Sequence, residues 1–157
     1  LSMDVRTIGV DDLDLICQHR EAMFREAGFA PGTLRTMTDH FRAWLRPRLA
    51  DGSYFGFLLT DAGRPVAGIG LMLVDWPPHP AHPTQDRRGY VLNVYVEPTR
   101  RRRGLAQQLM ALAEAEFARR RVEFAVLHAT EAGRPLYQRS GWNQTSEMSK
   151  VIAPPAP

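Results

Sequence analysis

The sequence predicts an α/β sandwich in which about four helices flank a central mixed, mostly antiparallel sheet. Three features predict this class. Several short runs are rich in strand-forming residues and are bounded by turn residues. Other segments repeat their apolar residues at helical spacing. The two kinds of segment follow one another in the order strand, helix, helix, three strands, helix, strand, helix, strand.

The amino-terminal part of the chain predicts one strand and one helix. Residues 5–8 form the strand, and Asp11 and Asp12 supply capping chemistry for the helix. We expect Gly28 to end this helix. Its apolar side contains Leu13, Ile16, Met23 and Phe24.

A second helix, a hairpin and a loop follow. Residues 38–50 predict the helix, with an inward face of Phe41, Trp44 and Leu45. Residues 54–60 and 65–74 are strand-like, and the turn at 61–64 joins them as a β-hairpin. Between positions 75 and 89 prolines remove backbone donors and fix the chain, so we expect a long loop there.

The most informative segment covers residues 90–106, where a run of strand formers leads into an arginine-rich turn that contains Gly104. The apolar residues that follow recur at helical spacing: Leu105, Leu109, Leu112, Ala113 and Phe117. A helix start offers unpaired N–H groups and the positive end of the helix dipole. Because a glycine also lets an anion approach the backbone closely, the turn predicts a pyrophosphate site.

The turn at residues 101–106, RRRGLA, resembles the Arg/Gln-x-x-Gly-x-Gly/Ala signature of the GCN5-related N-acetyltransferases, the GNAT family. The resemblance continues through the strand-like residues 124–127 to 131–142, which resemble the family's later helix. That helix carries Tyr137 before a Gly-aromatic pair. The resemblance implies a GNAT-like fold and an acetyltransferase that uses acetyl-CoA as cosubstrate. An amine acceptor then attacks directly in a ternary complex, without an acyl-enzyme.

The resemblance also implies roles for individual residues. Backbone N–H groups of the turn receive the pyrophosphate of coenzyme A, from Arg101, Arg102, Arg103, Gly104, Leu105 and Ala106. In the family the strand before this turn splays from its neighbour, which leaves the N–H groups of Val94 and Val96 for the pantetheine arm and the acetyl carbonyl. Tyr137 protonates the departing thiolate. Asn93, if it points inward, hydrogen-bonds the acceptor or the coenzyme.

The group that deprotonates the amine stays open. Some family members use a carboxylate on the strand before the turn, where this chain has Leu92 and Asn93. Glu97 serves only if the strand end turns inward. The loop offers alternatives: Asp75, His79, His82 and Asp86. We expect no metal at these residues, because the intervening prolines resist the helical face that such ligand spacing usually exploits.

Size and composition fit one domain over residues 3–152, with a disordered tail at 153–157. The single cysteine, Cys17, excludes an intramolecular disulfide, and its apolar neighbours predict a buried thiol. The chain has no signal-peptide layout and no apolar run long enough to span a bilayer, so we expect a cytoplasmic protein.

The formal charge is +3, with arginines clustered at 100–103 and 119–121. No nucleic-acid-binding motif accompanies them, so nucleic acid is an unlikely partner. The expected acceptor is a small molecule or peptide with a primary amine, and its identity stays open. A homodimer is plausible by resemblance. The alternative functions are a catalytically weak coenzyme A-binding or regulatory module and, less favoured, a nucleic-acid-binding domain.

Overall fold

The computed structural model describes residues 3–153. It contains one five-stranded sheet, with strands β1 (Asp4–Thr7), β2 (Tyr54–Asp61), β3 (Arg64–Asp75), β4 (Arg87–Val96) and β5 (Ala125–Leu127). The helices are α1 (Leu13–Glu26), α2 (Pro31–Asp51), α3 (Leu105–Arg119) and α4 (Arg134–Arg139), and short 3-10 turns lie at Val10–Asp12 and Pro98–Arg100.

The strands lie in the order β1-β2-β3-β4-β5. All neighbouring pairs are antiparallel except β4 and β5, which are parallel. The connection from β4 to β5 runs through α3, as a parallel pair requires a crossover. The mixed, mostly antiparallel sheet with four helices confirms the predicted fold class.

Two apolar cores hold the helices to the sheet. One joins α3 to β2, β3 and β4 through Leu59, Ile69, Leu71, Val91, Leu109, Met110, Ala113 and Phe117. The other joins α1 and α2 to the first residue of β2 through Ile16, Cys17, Phe41, Leu45, Leu49 and Tyr54. Helices α2 and α3 therefore bury most of the apolar side that their spacing predicts, whereas in α1 Ile16 is buried and Leu13, Met23 and Phe24 are partly exposed.

The second helix is longer than predicted, because α2 begins at Pro31 instead of residue 38. Pro31 and Gly32 look like turn residues in the sequence. A proline at the first helical position nevertheless costs no hydrogen bond, since that N–H group would be unpaired in any case. Leu34 makes an early helical bond, donating its N–H to the Ala30 carbonyl at 3.0 Å.

The strand predicted after the last helix is wrong for the part of the chain that the structure describes. Residues 143–153 form neither helix nor strand. The apolar side chains there do not pack, with Met148 93%, Val151 70% and Ile152 88% exposed. Without such burial, nothing offsets the entropy lost in ordering a strand. Of the predicted tail, residues 154–157 lie outside the described residues.

Strand β4 has an irregularity that shapes the site. Leu92 pairs with Gly70 and Tyr95 pairs with Gly68, so Asn93 and Val94 together face the single residue between those glycines. This is a β-bulge, and Asn93 takes a left-handed conformation with φ of 55°. The ladder between β4 and β5 covers only residues 89–91 of β4. Beyond it, residues 92–96 have no β5 partner.

Among the described residues, no helix has both the length and the apolar character to cross a membrane.

Candidate active site

A cavity of about 800 Å³ lies between helices α1 and α2 and the carboxyl-terminal half of β4. It brings together three residues that the sequence analysis singled out: Asn93, Val94 and Tyr137. Its remaining wall is mostly apolar and includes Met23, Phe24, Phe41, Trp44, Met72 and Leu92. An apolar cavity of this size with a few converging polar groups is typical of a small-molecule site.

Asn93 lies at the bulge with only 6% of its surface exposed. Its Nδ2 donates to the Tyr54 hydroxyl at 2.9 Å, and its Oδ1 accepts from Nη1 of Arg20 at 2.7 Å. Asparagine tolerates the left-handed backbone better than most residues. The bulge therefore aims this amide at α1 and β2, where both of its polar atoms find a partner within the protein.

Tyr54, the first residue of β2, is the buried partner in this hydrogen-bond network. It is 2% exposed, and burial raises its pKa to about 12, with the Asn93 hydrogen bond acting in the opposite direction. Gly70 leaves the room that its ring needs, because a β-carbon there would come within 2.0 Å of the Tyr54 hydroxyl oxygen. At neutral pH this phenol is uncharged and holds Asn93 in place.

Arg20 reaches the cavity from α1. Its guanidinium carbon lies 4.8 Å from the centre of the Phe41 ring and 5.0 Å from that of Phe24. Its Nε is fully buried without a hydrogen-bond partner among the described residues. Burial lowers the pKa of Arg20, and the groups that act against this effect are two phenols and no carboxylate.

Tyr137 belongs to the short helix α4 and is partly buried at the cavity wall. Burial raises its pKa above the ordinary value for a phenol. Within residues 3–153 its hydroxyl has no recorded hydrogen-bond partner. A protonated phenol with a free donor is suited to giving a proton to a leaving group.

One of the two predicted donors of β4 lies on the edge that β5 leaves open. Glu97 donates its N–H to the Val66 carbonyl on β3 at 2.9 Å. Since successive amides along a regular strand point to opposite edges, the N–H group of Val96 faces away from β3. The Val96 carbonyl lies on this side too, where it accepts from Nε of Arg101 at 2.9 Å. Val94 belongs to the bulge, where this alternation is interrupted. Val94 lines the cavity, whereas Val96 lies beyond it.

The turn before α3 also lies outside the cavity. Arg102 and Gly104 are both left-handed, with φ of 62° and 77°. No described residue accepts a hydrogen bond from the N–H groups at positions 102–107, and Gly104 caps α3 without a side chain. Two left-handed residues and a helix start thus leave several consecutive donors for an anion.

The arginine side chains divide into two groups. Arg100 pairs with Asp61 at 2.6 Å, and Arg101 pairs with Glu26 at 2.6 Å. Arg102 and Arg103 are exposed and form no ion pair with a described residue. In the second cluster, at the end of α3, Arg119 and Arg120 both pair with Glu116. Several arginines of both clusters therefore form ion pairs with carboxylates of the protein itself.

None of the predicted bases lines the cavity. Glu97 pairs with Arg64 at 2.9 Å. In the loop, His82 is fully buried, with Nδ1 3.0 Å from the Gln85 carbonyl oxygen and Nε2 3.0 Å from Nη2 of Arg88. This histidine holds the loop together. The remaining loop candidates, Asp75, His79 and Asp86, are also outside the cavity wall.

A histidine that sequence reasoning missed does line it. His128 follows the last residue of β5, and its ring stacks on Tyr90 with centroids 5.6 Å apart. Its Nε2 lies 3.3 Å from an oxygen of Glu147. One signal was available, because a polar residue at the carboxyl end of a strand parallel to β4 reaches the same edge of the sheet. Arg20 carried no such signal.

Comparisons with known proteins identify the family of the chain. The model of the acetyltransferase (GNAT) family matches residues 16–142. The chain is 62% identical to a GCN5-related N-acetyltransferase from Ralstonia eutropha JMP134, covering 96% of this chain and 99% of that one with a TM-score of 0.94. No match was found among curated proteins.

Two more distant structures share the fold. A predicted acetyltransferase from Clostridium acetobutylicum, crystallised with acetyl-CoA, is 24% identical, with 95% of each chain covered and a TM-score of 0.86. An aminoglycoside acetyltransferase from an uncultured soil metagenomic sample is 20% identical, with 98% of this chain and all of that one covered and a TM-score of 0.71. From the family model and the Ralstonia relative together, the chain belongs to the GNAT family of N-acetyltransferases, which transfer acetyl groups from acetyl-CoA.

Proposed function

We propose that the protein transfers an acetyl group from acetyl-CoA to a primary amine by direct attack in a ternary complex. The observation that supports this most is the course of β4. The strand lines a mostly apolar cavity at Asn93 and Val94, and it then leads along an edge without a β5 partner to a turn with unpaired donors. This course supports an acceptor site and a phosphate site at the two ends of one strand segment.

In this proposal the turn at residues 101–106 holds the pyrophosphate through its backbone N–H groups. The N–H groups of Val94 and Val96 bind the pantetheine arm and the acetyl oxygen. Bound acetyl-CoA supplies the thioester, and donors fixed in a strand stabilise negative charge on the acetyl oxygen without having to reorganise. The ladder to β5 ends at Val91, which keeps these donors free of β5.

Tyr137 is proposed to return a proton to the thiolate of coenzyme A. Its raised pKa keeps the phenol protonated throughout the neutral range. A thiolate is a tolerable leaving group near neutral pH, since thiols have pKa values near about 8.5. The proton transfer therefore helps the reaction without being indispensable to it.

His128 is proposed as the group that accepts the proton of the attacking amine. Within residues 3–153, no aspartate or glutamate lines the cavity. Histidine is the side chain whose ordinary titration falls between pH 5 and 8. Nε2 of this ring lies 3.3 Å from an oxygen of Glu147, and both side chains are exposed.

Cys17 does not fit the role of an acyl-carrying nucleophile. It is 1% exposed in the core beneath α1 and is absent from the cavity wall. Burial raises the pKa of its thiol, which keeps it protonated and unreactive. We expect Cys17→Ala to keep its turnover, and loss of turnover in a variant that still folds and binds acetyl-CoA would contradict direct attack.

The proposal is tested by acetyl-CoA binding in calorimetry and by thiol release across an amine panel. A second candidate, a coenzyme A-binding module with weak catalysis, is favoured by the missing carboxylate base. This second candidate predicts that acetyl-CoA binds but that thiol release stays at the background rate with every amine. Nucleic-acid binding predicts salt-sensitive affinity for RNA or DNA and no binding of acetyl-CoA.

A homodimer remains a prediction. The exposed apolar residues of the carboxyl-terminal segment, Met148, Val151 and Ile152, would be shielded from water by a second copy. Sedimentation of the wild type beside a triple serine variant at these positions measures this directly. A monomer in both proteins would contradict the dimer.

A further inference from the structure

The cavity carries an unbalanced positive charge. Among the described residues that line it, Arg20 is the only permanently charged one, and none carries a carboxylate. An arginine keeps its proton under all ordinary conditions. Taking such a charge out of water without a counter-ion is costly.

The contacts that Arg20 makes within the protein leave part of its guanidinium free. One nitrogen, Nη1, is held by the Asn93 amide. The rings of Phe24 and Phe41 lie against the guanidinium and offset some of its charge. Nη2 has no hydrogen-bond partner among the described residues and, unlike Nε, is not fully buried. It is therefore the atom that a ligand can reach.

The rest of the cavity wall indicates which chemical groups the ligand carries besides its anionic group. Besides the two rings that flank Arg20, it presents the apolar side chains of Trp44, Met72 and Leu92. A ligand that fits here carries a sizeable apolar group. It also carries an anionic group for Arg20, and a carboxylate oxygen can accept a charged hydrogen bond from Nη2.

We propose that the acceptor is a free amino acid with a large apolar side chain, whose carboxylate binds to Arg20 while its α-amine receives the acetyl group. This inference rests on the proposed function and names its substrate class. It makes Arg20 a specificity-determining residue and Asn93 the residue that positions it. It also disfavours polycationic acceptors, because the cavity that would receive them contains a cation and no carboxylate.

The test compares acceptors that differ only at the carboxylate. Phenylalanine, phenylalaninamide and phenethylamine share the apolar body and the amine, and only the first carries the negative charge. We expect the wild-type kcat/KM for phenylalanine to exceed that for phenylalaninamide by roughly 10- to 100-fold, the range of a charged hydrogen bond. Glycine and lysine, which lack the apolar body, should be poorer acceptors than phenylalanine.

Variants of Arg20 separate recognition from packing. Arg20→Gln should lower kcat/KM for phenylalanine and leave that for phenylalaninamide nearly unchanged, so that the preference disappears. Arg20→Lys keeps the charge without the planar fork and should retain part of the preference. The matched control is Arg46→Gln, an exposed arginine of α2 outside the cavity, which should behave as the wild type.

Three results would overturn the inference. They are equal wild-type activity on phenylalanine and its amide, an equal loss for both in Arg20→Gln, and a preference for polycationic amines. The proposed function fails separately, if acetyl-CoA does not bind or no amine is acetylated. In that event calorimetry with phenylalanine, with coenzyme A present, still decides the inference. The inference requires that phenylalanine binds to the wild type and binds at least about tenfold more weakly to Arg20→Gln.

Discussion

Asn93 donates a hydrogen bond from Nδ2 to the Tyr54 hydroxyl across 2.9 Å, which joins the bulge of β4 to the first residue of β2. The same amide accepts from Arg20. A single side chain thus connects the sheet, helix α1 and the wall of the proposed acceptor site. Changing its charge without changing its shape is therefore informative.

Asn93→Asp should fold and lose its preference for carboxylate acceptors. The aspartate keeps the shape of the amide, and the Tyr54 hydroxyl can donate to it instead of accepting. The new carboxylate neutralises Arg20, so kcat/KM for phenylalanine should fall at least about tenfold while that for phenylalaninamide changes less. Steady-state kinetics with both acceptors measures this.

The control for that experiment is Asn143→Asp, an exposed asparagine outside the acceptor cavity. It adds the same charge to the protein and should leave both rates unchanged. If Asn93→Asp retained the full preference for phenylalanine, Arg20 would not be the group that binds the carboxylate.

Gly104→Ala should weaken coenzyme A binding at least about tenfold, the equivalent of one charged hydrogen bond. With φ of 77° the position disfavours a side chain, although no protein atom lies within 4 Å of the added carbon. Relaxing the strain moves the N–H groups that form the proposed phosphate site. Isothermal titration calorimetry with coenzyme A gives the affinity.

Gly52→Ala is a close match for comparison. Gly52 has φ of 80° and ψ of 6°, against 77° and 12° at Gly104, and its surroundings are equally open. Both variants should lose about 1 to 2 kcal/mol of stability, the cost of a left-handed side-chain residue. Equal affinity of the two variants for coenzyme A would rule the turn out as the phosphate site.

Tyr137→Phe should lower kcat by about 100-fold or less, since thiolate departure is assisted by the phenol rather than dependent on it. The affinity for acetyl-CoA should stay the same. Because burial raises the pKa of Tyr137, the wild-type phenol is protonated at both pH 7 and pH 9, and the loss should be equal at the two values. Stopped-flow thiol detection measures it.

Tyr95→Phe provides the reference, because this tyrosine of β4 lies outside the cavity. Its kcat should match the wild type. A Tyr137→Phe variant as fast as Tyr95→Phe would show that the phenol proton takes no part.

His128→Asn should lower kcat/KM roughly 100-fold at neutral pH, the lower range for acid-base assistance. Steady-state kinetics at pH 7 tests this, with His40→Asn, a variant of an exposed histidine on α2, as control. A His128→Asn variant as active as His40→Asn would show that His128 does not accept the proton of the amine.

Stability should fall in alkali because of Tyr54. Its pKa in the folded protein is about 12, above the ordinary 10, so the unfolded chain loses the proton first as pH rises. The contribution of Tyr54 to the free energy of unfolding is intact below pH 10. It declines between pH 10 and 12 by on the order of 2 to 3 kcal/mol. Urea unfolding at pH 8, 10 and 11 should show this decline.

Tyr54→Phe isolates that effect from the titration of other groups. The variant should be less stable at pH 8, because Asn93 loses a partner, and its stability should decline less steeply above pH 10. Parallel curves for the two proteins would mean that Tyr54 does not titrate in this range.

Much of the fold is readable from local patterns. The hairpin of β2 and β3 follows from two strand-like runs around a glycine-containing turn, and α3 follows from its apolar spacing. The limits of α2 were wrong because the Pro-Gly pair is equally compatible with a turn and with a helix start. A last strand was also wrong, since strand residues form a ladder only where packing supports it.

The turn around Gly104 could be recognised from the chain because its donors, its glycine and the helix that follows are consecutive residues. The acceptor cavity could not. Arg20, Asn93 and His128 come from α1, β4 and the end of β5, and the partner Tyr54 of Asn93 comes from β2. The sequence gives no sign that these four residues meet. Only packing of those elements turns Asn93 inward at a bulge and leaves Arg20 without a carboxylate. Charge balance in a cavity depends on which distant side chains meet there, and local sequence does not contain that information.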